Sequence, residues 1–260
     1  MTYSLVLPFH SDLTSIGKTT ARARVEGHVL GIREILLAHN GRPLEAAARA
    51  KVASLVAPAT DDAPSVRLLD TTARGIGAGY KLGIAEASEP FVILSADDLP
   101  FGWSDLEAFE AAGRPDFAIG SKAHPASRLV GVTRMRRVSS ISFLTLRKLL
   151  LGWNTPGDSQ GSLVLRTAVA KALLPDLAYD HYLCSLELAT LHLKRGGRIV
   201  EVPIVVGDNT HPSSVSVVKD GLRMAKELLD LRQRMKTLSF EPPNDTRGLW
   251  RKFLRPKTRK

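Results

Sequence analysis

The stretch Phe91-Val92-Ile93-Leu94-Ser95-Ala96-Asp97-Asp98-Leu99-Pro100 is an apolar run that ends in two adjacent carboxylates. A short apolar run bounded by polar residues is typical of a buried strand, so Asp97 and Asp98 are predicted at its carboxyl end. Ligands bind at that edge in open α/β sheets. Two carboxylates there suit Mg²⁺, which completes its octahedron with phosphate oxygens and water. The alternative is a solvated turn that caps a helix beginning near Ser104.

Length and composition indicate one large globular domain. The chain has 260 residues, of which 44% are apolar and 24% charged, so it can bury a substantial core. The single cysteine, Cys184, excludes an internal disulfide framework and is predicted to be a buried, inert thiol. No secretory signal and no apolar run of ~20 residues is found, so we expect a cytosolic or peripheral protein. Structural roles are predicted for five histidines without metal-ligand spacing, namely His10, His39, His124, His181 and His192.

The formal net charge of +10 indicates an anionic partner, which could be nucleic acid, an anionic membrane surface or a phosphate-bearing substrate. Residues 247–260 contain seven Lys or Arg and no acid, with Trp250, Phe253 and Leu254 interleaved. Such a segment suits anionic lipid headgroups. It also suits nucleic acid, but no helix-turn-helix, zinc finger or RNA-recognition motif accompanies it, so no nucleic-acid partner is expected.

Strands and helices alternate along the chain. The predicted strands are residues 3–8, 34–38, 65–69 and 116–119, and the predicted helices are residues 14–29, 44–57, 104–112, 138–151 and 181–195. Alternating strands and helices with short connections predict an α/β fold with a mostly parallel central sheet flanked by helices.

A glycine-rich stretch, Arg74-Gly75-Ile76-Gly77-Ala78-Gly79-Tyr80-Lys81, opens a further helix. Glycines at a helix start allow close backbone approach and leave free N–H groups for a phosphate. The alternative is a tight turn, and the spacing lacks the full dinucleotide fingerprint, which argues against a Rossmann oxidoreductase. The position of the loop, leading directly into the strand that ends at Asp97, favours phosphate binding.

The order of these motifs resembles that of the family 2 nucleotide-sugar-dependent glycosyltransferases, particularly the dolichyl-phosphate or polyprenyl-phosphate sugar synthases. The similar segments are residues 5–12, 38–41, 75–84, 95–99, 119–122, 157–161 and 198–204. The chain departs from the family pattern at four positions. Asn40 replaces an acid that helps to hold the nucleotide, Asp12 replaces a glutamate, Ile76 replaces a lysine, and Ser95 replaces the first acid of the metal motif.

The resemblance implies a GT-A fold and a hexosyltransferase that uses a nucleotide-sugar of the UDP-glucose or GDP-mannose type. The sugar would pass to polyprenyl phosphate with inversion, and Asp97 and Asp98 would be catalytic as the ligands of Mg²⁺ or Mn²⁺ on the leaving diphosphate. The implied donor-binding residues are Pro8, Asp12, Asn40, Gly75 and Lys81. The implied ligands of the acceptor phosphate are Lys122, Arg136 and Ser140, for which a solvated cationic surface is the alternative. Two further residues match a family motif, Asp158 and Gln160.

The resemblance runs from about residue 3 to residue 234. We therefore predict a GT-A domain over residues 1–236, which ends in an amphipathic helix, and a basic tail over residues 237–260. The terminal helix, predicted over residues 214–235, either packs on the core or lies at a membrane interface. The expected location is the cytoplasm, peripheral on the inner face of the membrane. The alternatives are a related transferase with a soluble acceptor and a non-catalytic protein that binds nucleotide-sugars or membranes.

Overall fold

The computed structural model describes residues 1–129, 145, 147–151, 162–206 and 217–238, and its elements are those of an α/β protein. The strands are β1 (Tyr3–Phe9), β2 (Ile32–Asn40), β3 (Ser65–Thr71), β4 (Phe91–Leu94), β5 (Phe117–Gly120), β6 (Arg128–Leu129), β7 (Leu163–Arg166), β8 (Val200–Val202) and β9 (Val205–Val206). The α-helices are α1 (Leu13–Val29), α2 (Ala46–Ala53), α3 (Ile76–Glu86), α4 (Ser104–Ala111), α5 (Thr167–Leu173), α6 (Leu183–Lys194) and α7 (Val217–Thr237). A 3-10 helix, Leu174–Asp176, follows α5.

Seven strands form the central sheet in the order β3-β2-β1-β4-β7-β5-β8, while β6 and β9 pair separately. β1 is parallel to β2 and β4, β2 is parallel to β3, and β7 is antiparallel to both β4 and β5. β1, β2, β4 and β5 therefore point the same way, and their carboxyl ends share one edge. The predicted mostly parallel sheet is confirmed, whereas the antiparallel strand β7 was not predicted.

Helices cover both faces of the sheet, and the strands alternate between two cores. In β1, Val6 packs in the core formed with α3, α5, α6 and α7, while Leu5 and Leu7 pack in the core formed with α1, α2 and α4. Successive strand residues face opposite sides of a sheet, so a strand covered on both faces is apolar almost throughout. This burial explains the continuous apolar run of β4.

The sequence placed the end of the first strand at Pro8, but β1 continues through it to Phe9. The ladder between β1 and β4 stops at Val6, whereas Pro8 lies opposite Ala38 of β2. Proline lacks an N–H and is tolerated where no neighbour requires that donor. The missing donor at Pro8 faces the side where β4 has already ended, so the strand continues.

The described part of the C-terminal helix packs on the core. Leu228, Leu231 and Met235 are buried in contact with the α6 side of the sheet, while Leu229 remains 53% exposed. The core-packing interpretation is therefore confirmed for residues 225–238. Among the described residues, no helix is both long enough and apolar enough to cross a bilayer. The predicted helix over residues 138–151 lies mostly outside the described residues.

Cys184 is buried at the start of α6, next to Gly77 of α3. Burial raises the pKa of its thiol to about 12. The predicted burial of Cys184 is therefore confirmed, and a thiol that stays neutral is a weak nucleophile.

Helix α3 approaches β1 closely at Gly83, and this contact gives a stability prediction. A Cβ at Gly83 would overlap the side chain of Val6, which is buried and β-branched and so has little freedom to move. Gly83→Ala should lower the free energy of unfolding by about 1–3 kcal/mol, measured by urea denaturation.

Gly17→Ala is the matched control for this prediction. Gly17 lies inside α1, where an added Cβ meets nothing within 4 Å. Alanine should raise the stability there by up to about 1 kcal/mol, because it has the higher helix propensity. Equal effects of the two substitutions would contradict the close packing of α3 on β1.

Candidate active site

A cleft of about 350 Å³ opens at the carboxyl edge of the sheet. Its lining residues come from the ends of three parallel strands and from the start of α3, namely Pro8, Phe9, His10, Asn40, Arg74, Gly75, Ile76, Ala96 and Asp97. Pro8, Asn40, Gly75 and Asp97, which lie far apart in the sequence, are brought together there. The cleft is therefore the principal candidate for the functional site.

Asp97 lies half-buried after β4, in an unfavourable place for a negative charge. Burial and the nearby carboxylates of Asp98 and Asp12 raise its pKa from 3.8 to about 6. Carboxylates that repel one another beside a cleft are stabilised by a divalent cation, so the residues fit Mg²⁺ or Mn²⁺. Among the residues that the structure describes, no group of three or more His, Cys, Asp or Glu could hold a metal. A cation held mainly by donor phosphates needs only one or two carboxylates.

The turn that carries the two aspartates has an uncommon backbone conformation. Leu99, directly after Asp98, has φ +45°, a left-handed conformation that a leucine seldom adopts. Its side chain is buried, and its N–H donates to Ala96 O at 3.2 Å. The buried leucine thus fixes the turn, and with it the position at which Asp97 leaves the strand.

Asp12 is the N-cap of α1. Its Oδ1 accepts hydrogen bonds from Thr14 N–H at 3.0 Å and Ser15 N–H at 2.8 Å. The cap holds the Asp12 carboxylate close enough to Asp97 to raise the pKa of that group. Oδ1 of Asp12 is already occupied by these capping hydrogen bonds. A contact of Asp12 with a nucleotide-sugar stays a prediction.

Asn40 links the end of β2 to the glycine loop. It is buried, and its Oδ1 accepts a hydrogen bond from Gly75 N–H at 3.3 Å. His10 Nδ1 lies 2.7 Å from Asn40 O, and the His10 ring stacks on that of buried His39, which pairs with Asp70 at 3.0 Å. His39 therefore has a structural role, while His10 belongs to the cleft.

The glycine loop offers fewer free amides than the sequence suggested. Gly75, at φ +114°, donates its N–H to Asn40, and Ala78 donates its N–H to Asp180 O at 3.0 Å. The protein itself therefore occupies two of the N–H groups that a phosphate could have used. What the glycines do provide is close approach, because Gly77 packs directly against Asp180 and Cys184.

The remaining predicted site residues are spread over several surroundings. Lys81 does not line the cleft but forms an ion pair with Asp180. Lys122 follows β5 at the same sheet edge, with Nζ 5.6 Å from the ring centroid of Phe101. Four predicted residues, Arg136, Ser140, Asp158 and Gln160, lie outside the described residues.

Sequence reasoning missed His10 and Arg74 as candidate site residues. Both line the cleft, one just after β1 and the other just before α3. Their position was the available indication, because loops that follow parallel strands meet at one sheet edge. Arg74 opens the glycine-rich stretch and His10 lies in the similar segment 5–12, but neither side chain by itself predicts a chemistry.

No protein-family model and no curated protein matches the chain. Among solved structures, the chain is similar to glucosyl-3-phosphoglycerate synthase from Mycobacterium tuberculosis in complex with UDP. The match covers 94% of this chain and 82% of the synthase chain, with a TM-score of 0.58 and 15% sequence identity. The same enzyme in complex with Mn²⁺, UDP-glucose and glycerol 3-phosphate gives the same values. The fold of the chain is therefore that of the GT-A glycosyltransferases, as predicted.

Proposed function

We propose that this protein is a metal-dependent family 2 glycosyltransferase that moves a hexose from a nucleotide-sugar to a phosphate-bearing acceptor. The observation that carries the proposal is the group of carboxylates around Asp97, which repel one another at the mouth of a cleft in a GT-A sheet. The matched synthase was crystallised with Mn²⁺ and UDP-glucose, which supports the same cofactor and donor class here.

Asp97 and Asp98 are proposed to hold Mg²⁺ or Mn²⁺ against the donor diphosphate. The cation would supply the positive charge that stabilises the leaving diphosphate as the glycosidic bond breaks. Pro8, Asn40 and Gly75 would form the donor-binding wall of the cleft, with Asp12 beside them. A metal-dependent gain in thermal stability with UDP-glucose or GDP-mannose would support this assignment.

The proposed acceptor is polyprenyl phosphate, bound by Lys122, Arg136 and Ser140. A phosphate monoester loses its second proton near pH ~6, so at neutral pH it already carries nucleophilic oxygens. No side-chain general base is then required, and the task of the protein is positioning. A cation such as Lys122 lowers the repulsion between the acceptor dianion and the donor diphosphate.

A soluble phosphorylated acceptor is the second candidate. The matched synthase was crystallised with glycerol 3-phosphate and with phosphoglyceric acid, and the described half of α7 is occupied in core packing. Transfer assays with polyprenyl phosphate in liposomes and with glycerol 3-phosphate in solution separate the two acceptors. If the protein binds a nucleotide-sugar but neither transfers the sugar nor hydrolyses the donor in any of these assays, the non-catalytic alternative is supported.

The test of the overall proposal is a donor screen followed by a transfer assay. UDP-glucose and GDP-mannose are added with and without Mn²⁺, and the change in melting temperature is recorded. We expect one of the two nucleotide-sugars to raise the melting temperature, and to do so only in the presence of Mn²⁺. The sugar of that donor should then be transferred to a phosphorylated acceptor. Absence of both binding and hydrolysis with either donor would overturn the proposal.

We further propose a GT-A domain over residues 1–236 and a basic tail over residues 237–260 that binds the inner face of the membrane. Each Lys or Arg near an anionic surface contributes ~1 kcal/mol, and salt screens this attraction. The protein should therefore cosediment with anionic liposomes, less so as salt rises, and less so after deletion of residues 247–260.

The matched control for tail binding is a variant in which the seven Lys and Arg of residues 247–260 are replaced by Gln while Trp250, Phe253 and Leu254 are kept. It should lose salt-sensitive binding as the deletion does. Equal binding of the intact protein to neutral and anionic liposomes would contradict the electrostatic account, and tight RNA binding would revive the nucleic-acid alternative.

A further inference from the structure

The segment that precedes α6, residues 176–181, lies against the glycine loop; we call it the connecting segment. The N–H of Ala78 donates to Asp180 O at 3.0 Å and also to Gly75 O at 3.1 Å, and the Asp180 carboxylate pairs with Lys81 of α3. The contact is tight, because a Cβ added at Gly75 would overlap the Asp180 carbonyl oxygen. The connecting segment therefore packs directly on Gly75, which lines the cleft.

Glu187 of α6 holds the connecting segment from the other side. Its carboxylate is fully buried and accepts hydrogen bonds from Ala178 N–H at 3.0 Å and Tyr179 N–H at 3.1 Å. A buried carboxylate is costly unless it is paired, and Arg234 of α7 supplies the pairing charge. Arg234 also donates to the carbonyl oxygen of Asp176. The buried charge thus joins the connecting segment, α6 and α7.

Two further side chains of α7 reach the same segment. Asp230 accepts a hydrogen bond from Tyr179 OH at 2.6 Å, and Glu227 lies 3.5 Å from His181 Nε2. Positions 227, 230 and 234 share one face of a helix, since residues three and four apart are neighbours. This polar face of α7 is therefore dedicated to the connecting segment, beside the apolar face that packs on the core.

We propose that Glu187 and Arg234 are positioning residues for nucleotide binding, which set the place of the glycine loop through the connecting segment. The inference rests on the proposed function, because it takes the cleft as the donor site. Glu187 and Arg234 do not line the cleft, and they act on it through Asp180, Ala78 and Gly75. The helix that leads into the basic tail thereby influences affinity for the nucleotide.

The test compares two variants that loosen the connecting segment with one that loosens α7 elsewhere. Glu187→Gln places an amide N–H where a carboxylate oxygen accepted hydrogen bonds, and Tyr179→Phe removes only the bond to Asp230. Lys194→Met is the control, because Lys194 joins α6 to the end of α7 at Met235 O and Leu238 O and does not touch the connecting segment. Tyr179→Phe decides the test if Glu187→Gln fails to fold.

Two readouts are made for every variant: hydrogen exchange of the Ala78 amide, and the affinity for UDP and for GDP with Mn²⁺ by titration calorimetry. We expect faster exchange at Ala78 in both connecting-segment variants. The affinity for the nucleotide should fall about threefold in Tyr179→Phe, the loss expected for one hydrogen bond. It should fall about tenfold in Glu187→Gln, the loss expected for two. Lys194→Met should change neither readout.

Unchanged exchange at Ala78 in both connecting-segment variants would overturn the proposal, as would an equal change in Lys194→Met. If exchange at Ala78 rises as expected but the wild-type protein binds neither UDP nor GDP, the proposed function is wrong. The coupling between the connecting segment and the glycine loop is then still supported. A variant that exchanges faster and yet binds the nucleotide as tightly as wild type would show that the glycine loop does not govern affinity.

Discussion

Asp97→Asn and Asp98→Asn are each expected to lower metal-dependent sugar transfer by about 100- to 1,000-fold, because each would remove a proposed ligand of the cation that is proposed to stabilise the leaving diphosphate. The measurement is release of the nucleoside diphosphate at saturating Mn²⁺. Asp62→Asn is the matched control, since Asp62 is an exposed acid in the turn before β3 and should leave turnover unchanged. Full turnover in both site variants would show that the metal is held elsewhere.

The stability of the same variants provides a second readout. The folded protein retains the proton of Asp97 up to about pH 6, whereas an ordinary aspartate loses it near 3.8. The ionised carboxylate is therefore unfavourable in the fold, and its contribution to stability falls as the pH rises through that window. Asp97→Asn, measured without metal, should be more stable than wild type at pH 7, and the difference should vanish below pH ~4.

A lower melting temperature for metal-free Asp97→Asn at pH 7 would contradict this account of the site. The opposite behaviour of activity and stability is the expected mark of a functional site, where groups are held in an environment that disfavours their charge. Asp98 is exposed, so Asp98→Asn should lose activity with little gain in stability.

Lys122→Ala is expected to lower acceptor-dependent transfer by about 10- to 100-fold while the affinity for the nucleotide-sugar stays close to wild type. A charge-assisted contact with a phosphate contributes about 1.5–3 kcal/mol, which corresponds to that loss. Arg136→Ala should behave in the same way if Arg136 shares the acceptor phosphate. The measurements are transfer to polyprenyl phosphate and to glycerol 3-phosphate, each beside donor affinity.

The control for Lys122→Ala is Arg128→Ala, which removes the same charge from an exposed residue of β6 close by in the sequence. If Arg128→Ala lowers transfer as much as Lys122→Ala does, the effect is one of general electrostatics and not of a phosphate site. If Lys122→Ala weakens binding of the nucleotide-sugar but leaves transfer unchanged at saturating nucleotide-sugar, Lys122 contacts the nucleotide-sugar and not the acceptor phosphate.

Much of the site was predictable because it depends on local patterns. The apolar run before Asp97 required a buried strand, and the strand direction put Asp97 and Asp98 at the edge where Pro8, Asn40 and Gly75 also arrive. Helix periodicity located α1 to within one residue, and the buried state of Cys184 followed from its apolar neighbours. In each case the determining residues lie within a few positions of one another.

The contacts that hold the site together were not predictable in this way. The sequence marks Arg234 as one of several cations on an amphipathic helix, yet it neutralises Glu187, and Lys81 pairs with Asp180 instead of lining the cleft. The antiparallel pairing of β7 with β4 and β5 likewise depends on contacts between strands that lie far apart along the chain.

The sequence by itself determined which segments form strands and helices, and which side chains stand at strand ends, because backbone preference and the alternation of faces act over a few residues. Only the tertiary structure decided which charges are buried together and which amides are already occupied. Pairing Glu187 with Arg234, or Gly75 N–H with Asn40, depends on how whole helices and strands pack, since a buried polar group takes whatever partner the packing places within reach.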